Sequence, residues 1–251
     1  MNAHYTYFLL LCVSLAGPLA LSADKKVSFY KKWKYLFPAM LLPALFYIAW
    51  DIFFTAKGVW SFNEKYVTGI TLVNLPIEEV LFFVVVPYCC VFIYECIRCY
   101  FPQLKNKRIA DTILQILATL LFIAGIIFYK KVYTSFTFIF TAISIAIIYL
   151  RKKYFCNFDA LSFLIAYSII LIPFLIVNGF LTAIPVVVYN DAQNLGLRIY
   201  TIPFEDAFYG LLLILMNIVI YEKLKSNGLN KSIRSITFSS NQHAEKNNNT
   251  I

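Results

Sequence analysis

Two pairs of neighbouring acids stand at the start of strongly apolar segments in this sequence. They are Glu78 and Glu79 in LPIEEVLFF, and Glu205 and Asp206 in IPFEDAFYG. A carboxylate in hydrocarbon is costly unless it is paired, solvated or protonated. Acids crowded in a low-dielectric place repel one another, so some should hold a proton near neutral pH. A carboxyl kept neutral in this way is a proton donor for a basic substrate.

Each acid pair is followed by an aromatic residue one helical turn later. Phe82 lies four residues after Glu78, and Tyr209 lies four residues after Glu205, so each ring shares a helix face with an acid. Because ring faces attract cations, this arrangement suits protonation of an alkene and stabilisation of the resulting carbocation. The alternative is that the acids only cap helices at a membrane interface, where aromatic residues are common. Further polar candidates for substrate binding precede the motifs: Asp51, Asn63 and Asn190.

A proline precedes each acid pair. Pro76 and Pro203 suit the start of a helix, because the N–H that proline lacks would have no partner there. We therefore assign them a structural role in setting the two helix starts. Asn74 and Thr201, two residues earlier, are predicted to be N-caps.

The motifs belong to an internal repeat with an offset of 127 residues. Residues 51–95 match residues 178–222 at 11 of 45 positions, including prolines, glutamates and asparagines that apolar segments rarely share by chance. The copies differ at Asp51, which is matched to Asn178. This difference leaves open whether both halves are catalytic.

Two further acids are repeated near the far ends of the same helices. Glu95 and Glu222 each precede a basic residue, Arg98 or Lys225, by three positions. This spacing is typical of ion pairs at a helix end. We interpret both acids as structural.

The composition places all of these residues in a membrane. Of 251 residues, 61% are hydrophobic and 14% are charged, which excludes an ordinary soluble domain. Stretches of about 20 apolar residues, enough to cross a bilayer, recur seven times, near residues 4–21, 34–53, 77–99, 109–128, 132–150, 159–181 and 204–223. The sequence therefore predicts an all-α, polytopic membrane protein with about seven transmembrane helices.

The repeat predicts how these helices are organised. One linker helix between two three-helix repeats gives both repeats the same direction, a parallel 3+1+3 arrangement. The predicted units are a first repeat at 1–99, a linker helix at 100–131, a second repeat at 132–225 and a disordered cytoplasmic tail at 226–251.

The basic residues predict the orientation. The net charge is +9, and 17 of the 22 lysines and arginines fall on one side of the predicted spans. This bias predicts an N-out, C-in protein of the cytoplasmic (inner) membrane. It also makes anionic lipid at the inner face the expected partner of the basic residues, rather than nucleic acid. Association into homo-oligomers is left open.

The motifs PIEEVLFF and PFEDAFYG, with WDIFFTAKGVWSFN upstream, resemble the small membrane-integral lycopene cyclases, whose two homologous subunits are here fused in one chain. The resemblance implies cyclisation of the ψ-end groups of lycopene, or of a related acyclic carotenoid in the bilayer, to β-rings without net redox change. It implies that Glu78, Glu79, Glu205 and Asp206 are the catalytic carboxyls, and it adds Trp60 to the substrate-binding candidates. No GxGxxG motif occurs, so we expect no nucleotide cofactor, and we also expect no metal.

A membrane transporter is the main alternative. Sugar carriers of the SWEET type also combine parallel three-helix units, and acids within the membrane suit proton coupling. The repeated polar residues of this chain, however, cluster toward one end of the spans, with no row of sugar-binding residues at the midplane.

Overall fold

Seven α-helices make up most of the described part of the chain, and each is long and apolar enough to cross a bilayer. The computed structural model describes residues 3–104 and 107–248, with side chains described as far as residue 228. The helices are α1 (Thr6–Leu21), α2 (Trp33–Ala56), α3 (Ile77–Tyr100), α4 (Arg108–Ile127), α5 (Val132–Leu150), α6 (Ala160–Ala183) and α7 (Glu205–Asn248). The prediction of an all-α, polytopic membrane protein with about seven transmembrane helices is confirmed.

Helices α3 and α7, which begin at the two acid motifs, lie at the centre of the bundle. Helix α3 contacts α1, α2, α6 and α7, and α7 also contacts α2, α5 and α6. Phe83 on α3 and Leu212 on α7 are completely buried in this interior. The outward helix faces expose large apolar side chains, such as Leu120 on α4 with 60% of its surface exposed. Apolar surface of this kind is stable in lipid, so the chain is an integral membrane protein.

The connections that lead into α3 and α7 lie together at one end of the bundle, which we call the hairpin end. Each contains a short antiparallel hairpin, and a third antiparallel pair joins the two connections. The strands are β1 (Trp60–Phe62), β2 (Thr71–Leu72), β3 (Leu75–Pro76), β4 (Val187–Tyr189), β5 (Arg198–Ile199) and β6 (Ile202–Pro203), paired as β1–β4, β2–β3 and β5–β6. The sequence analysis did not predict these strands, which satisfy backbone groups of the connections.

The two connections repeat each other in backbone conformation as well as in sequence. Val73 and Tyr200 are 127 residues apart, and both have positive φ angles, 60° and 59°. Gly69 and Gly196 are matched in the same way, at 84° and 74°. Residues other than glycine rarely adopt such angles, so the same unusual turn precedes each acid motif. The parallel 3+1+3 arrangement and the N-out, C-in orientation stay predictions.

The starts of the two central helices differ from the predicted caps. Helix α3 begins directly after Pro76, with no side-chain cap hydrogen bond. Asn74 instead donates to the carbonyl of Ile52 in α2 at 3.0 Å, and the Thr201 hydroxyl bonds to that of Thr182 in α6 at 2.5 Å. The prediction that Asn74 and Thr201 are N-caps is therefore wrong. The hairpin turns direct both side chains toward the preceding helix.

A buried ionic cluster lies at the opposite end of the bundle. The predicted pair of Glu222 with Lys225 is confirmed at 3.5 Å. Glu95, however, pairs with Lys32 and Lys225 rather than with Arg98. The predicted partner of Glu95 is wrong because the packing of α3 against α7 brings a lysine from the other repeat to the carboxylate.

Helix α7 has 44 residues, about twice the length that a bilayer requires. Its backbone continues to Asn248, through the segment for which the sequence predicts a disordered tail at 226–251. A polar composition argues against packing in a core, but it does not prevent a helical backbone. Side chains beyond residue 228, and residues 249–251 altogether, lie outside the described part of the chain. The predicted unit boundaries stay predictions.

Candidate active site

A buried cavity lies at the hairpin end, and we call it the acid cavity. Three carboxyl side chains line it: Asp51 from α2, Glu79 from α3 and Asp206 from α7. They are only 2%, 8% and 2% exposed, respectively. The free space beside them is about 40 Å³, which is room for a few water molecules at most. Helices of both repeats thus bring acids to one water-poor place.

Asp51 and Glu79 form a carboxyl pair. Both line the acid cavity and are close enough for their side chains to interact. Because like charges repel in a water-poor site, ionisation of both carboxyls is disfavoured. The Tyr7 hydroxyl donates to Oε2 of Glu79 at 2.6 Å, and the Tyr209 hydroxyl donates to Oδ1 of Asp51 at 2.6 Å. A proton positioned in this way is available for general acid chemistry.

Asp206 has a different set of partners. Three side chains donate to its carboxyl: Tyr133 to Oδ1 at 2.6 Å, Tyr189 to Oδ2 at 2.8 Å and Asn178 to Oδ2 at 3.2 Å. Donors to a carboxyl favour its ionised form. Tyr189 lies in a connection, outside the membrane-spanning segments. Burial, followed by the neighbouring Asp206, raises the pKa of Tyr189 well above its usual value, so its hydroxyl keeps its proton and remains a donor.

The two kinds of carboxyl face the same space. Asp206 is near enough to Asp51 and to Glu79 for their charges to interact. Because like charges repel in a low-dielectric site, ionisation of all three is disfavoured. The acid cavity therefore favours a state in which at least one of its three carboxyls holds a proton.

Aromatic rings from both repeats form one wall of the acid cavity. Trp60 on β1 lies 5.2 Å from Tyr133 on α5 and 6.2 Å from Tyr209 on α7, between ring centres. Tyr133 and Tyr209 are 6.2 Å apart, and Phe82 on α3 also lines the space. Electron-rich ring faces stabilise nearby cations, and the effect is larger where water is excluded. The wall can therefore stabilise a carbocation formed beside the carboxyls.

The first acid of each motif faces away from this cavity. Oε1 of Glu78 accepts the backbone N–H of Thr68 at 2.7 Å, and Oε1 of Glu205 accepts that of Leu195 at 2.8 Å. Thr68 and Leu195 are themselves matched at the repeat offset of 127 residues. Thr134 also donates to Glu205, at 2.5 Å. Each of these glutamates thus anchors the connection that leads into its own helix.

Two predicted substrate-binding residues also lie in the connections rather than among the residues that line the cavity. Asn63 accepts the backbone N–H of Lys65 at 3.1 Å and starts a short 3₁₀ helix. Asn190 donates to the Gly58 carbonyl at 3.0 Å and so ties the two connections together. The structure therefore brings the other predicted residues to the cavity: Asp51, Trp60, Glu79, Phe82, Asp206 and Tyr209.

Four side chains that donate hydrogen bonds to the cavity carboxyls were not predicted from the sequence: Tyr7, Tyr133, Asn178 and Tyr189. Only Asn178 had a usable signal, since it is the repeat counterpart of Asp51. The structure gives this match a meaning, because Asn178 donates to Asp206, the second acid of its repeat, while Asp51 lines the acid cavity together with Glu79, the second acid of the other repeat. The three tyrosines lie at the starts of α1 and α5 and on β4, and no sequence pattern distinguishes them from the other tyrosines of the chain.

Comparison with known proteins agrees with this arrangement. The lycopene cyclase family profile matches residues 4–97 and 130–224, which correspond to the two repeats. Two curated proteins named lycopene beta-cyclase, from Halobacterium salinarum strains R1 and NRC-1, are each 43% identical to this chain over 60 residues. These alignments cover 21% of this chain and 25% of each relative, so the chain spans about a quarter of their length. No solved structure matches the chain significantly. Because the family match extends over both repeats and most of the sequence, the chain belongs to the lycopene cyclase family.

Proposed function

We propose that this protein catalyses the acid-catalysed cyclisation of the ψ-end groups of lycopene, or of a related acyclic carotenoid, to β-ionone rings. The observation that carries the proposal is the convergence of Asp51, Glu79 and Asp206 on one buried, aromatic-walled cavity. Ring closure of a polyene requires neither a nucleophile nor a redox cofactor. Protonation of a double bond is sufficient to start it, and this requires a proton donor that is shielded from water.

The Asp51–Glu79 pair is the proton donor in this proposal. One proton moves from the pair to the terminal double bond of the ψ-end, and a tertiary carbocation forms at the adjacent carbon. The pair is then left with a negative charge, which the hydroxyls of Tyr7 and Tyr209 stabilise as hydrogen-bond donors. The next double bond along the chain attacks the cation, so one carbon–carbon bond forms and the ring closes.

The ring that forms carries the positive charge, and the aromatic wall stabilises it. Trp60, Tyr133 and Tyr209 present rings to the space beside the carboxyls. Asp206 then takes a proton from the ring carbon, which creates the ring double bond. One proton is donated and one is removed, so the product is an isomer of the substrate and no redox partner is required.

Glu78 and Glu205 have a positioning role in this proposal. The backbone N–H groups of Thr68 and Leu195 bind to them, so the connections that hold Trp60 and Tyr189 keep their places. This role differs from the catalytic one that the family resemblance implies for all four motif acids.

We further propose the cytoplasmic membrane as the location, with anionic lipid at the basic end. Membership of the cyclase family does not favour the transporter alternative.

Expression in a lycopene-accumulating bacterium tests the proposal. Cells that produce the protein should convert red lycopene to yellow-orange monocyclic and dicyclic carotenoids, separated by liquid chromatography. The matched control is a variant in which Asp51, Glu79 and Asp206 are all replaced by their amides, which keeps the shape and removes the transferable proton. Unchanged lycopene in cells whose membranes contain the wild-type protein would refute the proposal.

A further inference from the structure

A second, larger cavity shares a wall with the acid cavity. It has a volume of about 230 Å³ and lies between α1, α3 and α6. Phe82, Val86, Phe174 and Asn178 line both spaces. Away from this shared wall its lining is almost entirely apolar. We call this second space the α3–α6 groove.

The groove is long and reaches the bilayer. Along α3 it extends from Phe82 to Ile93, which is about 16 Å at 1.5 Å per residue. On α6, its lining residue Pro173 is exposed, and the neighbouring residues Ile172 and Ile176 are 63% and 56% exposed. An apolar molecule dissolved in the membrane can therefore enter the groove sideways without crossing a polar surface.

The corresponding place in the other half of the protein is filled. At the repeat offset, Val177 and Phe174 of the groove correspond to Trp50 and Tyr47 on α2. Tyr47 is completely buried and Trp50 is 7% exposed. The two rings stack with centres 5.7 Å apart, and Tyr47 lies 4.7 Å from Tyr209. Between α2 and α7, aromatic side chains thus fill the place whose repeat counterpart, between α6 and α3, remains open.

We propose that the α3–α6 groove is the one binding channel for the polyene chain, and that the protein therefore has a single active site for both ends of its substrate. This inference rests on the proposed function. An end group lies where the groove meets the acid cavity, and the conjugated chain lies along α3 toward the lipid. Because the matched groove is closed, a two-ended substrate must leave, turn around and bind again before its second ring forms.

The geometry explains why the groove and the small acid cavity are needed together. About 40 Å³ beside the carboxyls is too little for an end group, so the ring must form at the shared wall of Phe82, Val86 and Phe174. The apolar groove holds the long chain through dispersion contacts with its packed side chains. Asn178 contributes to both spaces, so its amide, a donor to Asp206, also marks the inner limit of the channel.

Val177→Trp tests the channel, since it places in the groove the residue that closes the other half. Leu120→Trp is the control, because it adds the same ring on a lipid-facing side chain of α4, away from the groove. Both variants are made in a Glu79→Gln background, which removes the proposed proton donor and leaves the groove intact. The measurement is the lycopene that co-purifies with each protein, as polyene absorbance per mole of protein.

We expect Val177→Trp to lower bound lycopene by about tenfold or more, which is the cost of overpacking an apolar site, while Leu120→Trp leaves it unchanged. Cys89→Phe, which narrows the groove from α3, should have the effect of Val177→Trp and guards against a local folding defect. Equal pigment in Val177→Trp and Leu120→Trp overturns the channel. If wild-type protein does not cyclise lycopene at all, the proposed function fails instead, and the two failures are thereby distinguished.

Discussion

Replacement of Glu79 by glutamine exchanges a carboxyl for an amide of nearly the same shape, which has no proton that it can transfer. The amide oxygen can still accept the hydroxyl of Tyr7, and the amide nitrogen can donate to the neighbouring Asp51 carboxyl. The polar groups of the new side chain are thus satisfied, so the free energy of unfolding should change by no more than about 1 kcal/mol. The amide cannot take up or transfer a proton, however, and an N–H donated to Asp51 favours its ionised form, so the pair loses its available proton.

The expected loss of activity follows from the role assigned to that proton. General acid catalysis by a positioned group contributes about a hundredfold to ten-thousandfold. This range corresponds to about 3 to 5 kcal/mol of transition-state stabilisation. Lycopene turnover by Glu79→Gln should therefore fall by at least a hundredfold, while the amount of lycopene bound to the purified protein stays within about twofold of wild type, because the α3–α6 groove is untouched.

The neighbouring residue supplies the control. Glu78→Gln retains an oxygen for the backbone N–H of Thr68, so its turnover should stay within about threefold of wild type. Glu78→Ala leaves that N–H unpaired and should lower the thermal stability, at a cost of about 1 to 3 kcal/mol. The assay is initial-rate conversion of lycopene in proteoliposomes, normalised to folded protein. A Glu78→Gln protein as inactive as Glu79→Gln, or an active Glu79→Gln protein, would refute the division of roles between the two acids.

Three further predictions concern the second repeat, the ionic cluster and the order of products. Asp206→Asn should reduce turnover at least a hundredfold, and Glu205→Gln should keep most of it; equal losses in the same proteoliposome assay would contradict this. Lys225→Met removes one of the two lysines that pair with the buried Glu95 carboxylate, and since Lys32 remains it should destabilise the protein by about 1 to 3 kcal/mol, measured by thermal unfolding in detergent, with unchanged turnover per folded molecule at a permissive temperature. In a time course with excess lycopene, a single active site should release monocyclic carotenoid before dicyclic product appears, and simultaneous appearance of both from the first turnovers would contradict it.

The sequence was sufficient for the helices but not for the rotation of each helix about its axis. Seven apolar stretches predict seven spans because bilayer thickness fixes their length. Adjacent residues on a helix, however, point about 100° apart, so Glu78 and Glu79 cannot both face one cavity. Which of them does so depends on how α3 packs against α1, α2 and α7, and that packing is not encoded in the motif. The repeat suggested one role for all four motif acids, and only the contacts in the structure distinguish the first acid of each motif from the second.

The other residues that the sequence could not place also depend on long-range contacts. Asn63 and Asn190 are repeated, and their bonds to Lys65 and Gly58 hold the connections in shape. Their role in substrate binding stays a prediction. Tyr189 was missed because a strand pair between the two connections, β1 with β4, is what brings its hydroxyl to Asp206. No local pattern predicts a pairing between segments so far apart in the chain.

The duplication explains both what the halves share and where they differ. Features that shape the connections are present twice: the positive-φ turns at Val73 and Tyr200, and the anchoring acids Glu78 and Glu205. The features that decide the chemistry are not present twice. Close to the second acid stands Asp51 in one half, a carboxyl that can hold a proton, and Asn178 in the other, an amide that donates a hydrogen bond to Asp206. Two identical pockets would each need a proton donor and a base of their own. In the proposed mechanism, a single cavity with two carboxyls from one repeat and one from the other supplies both functions once, so divergence of the copies is what that chemistry requires.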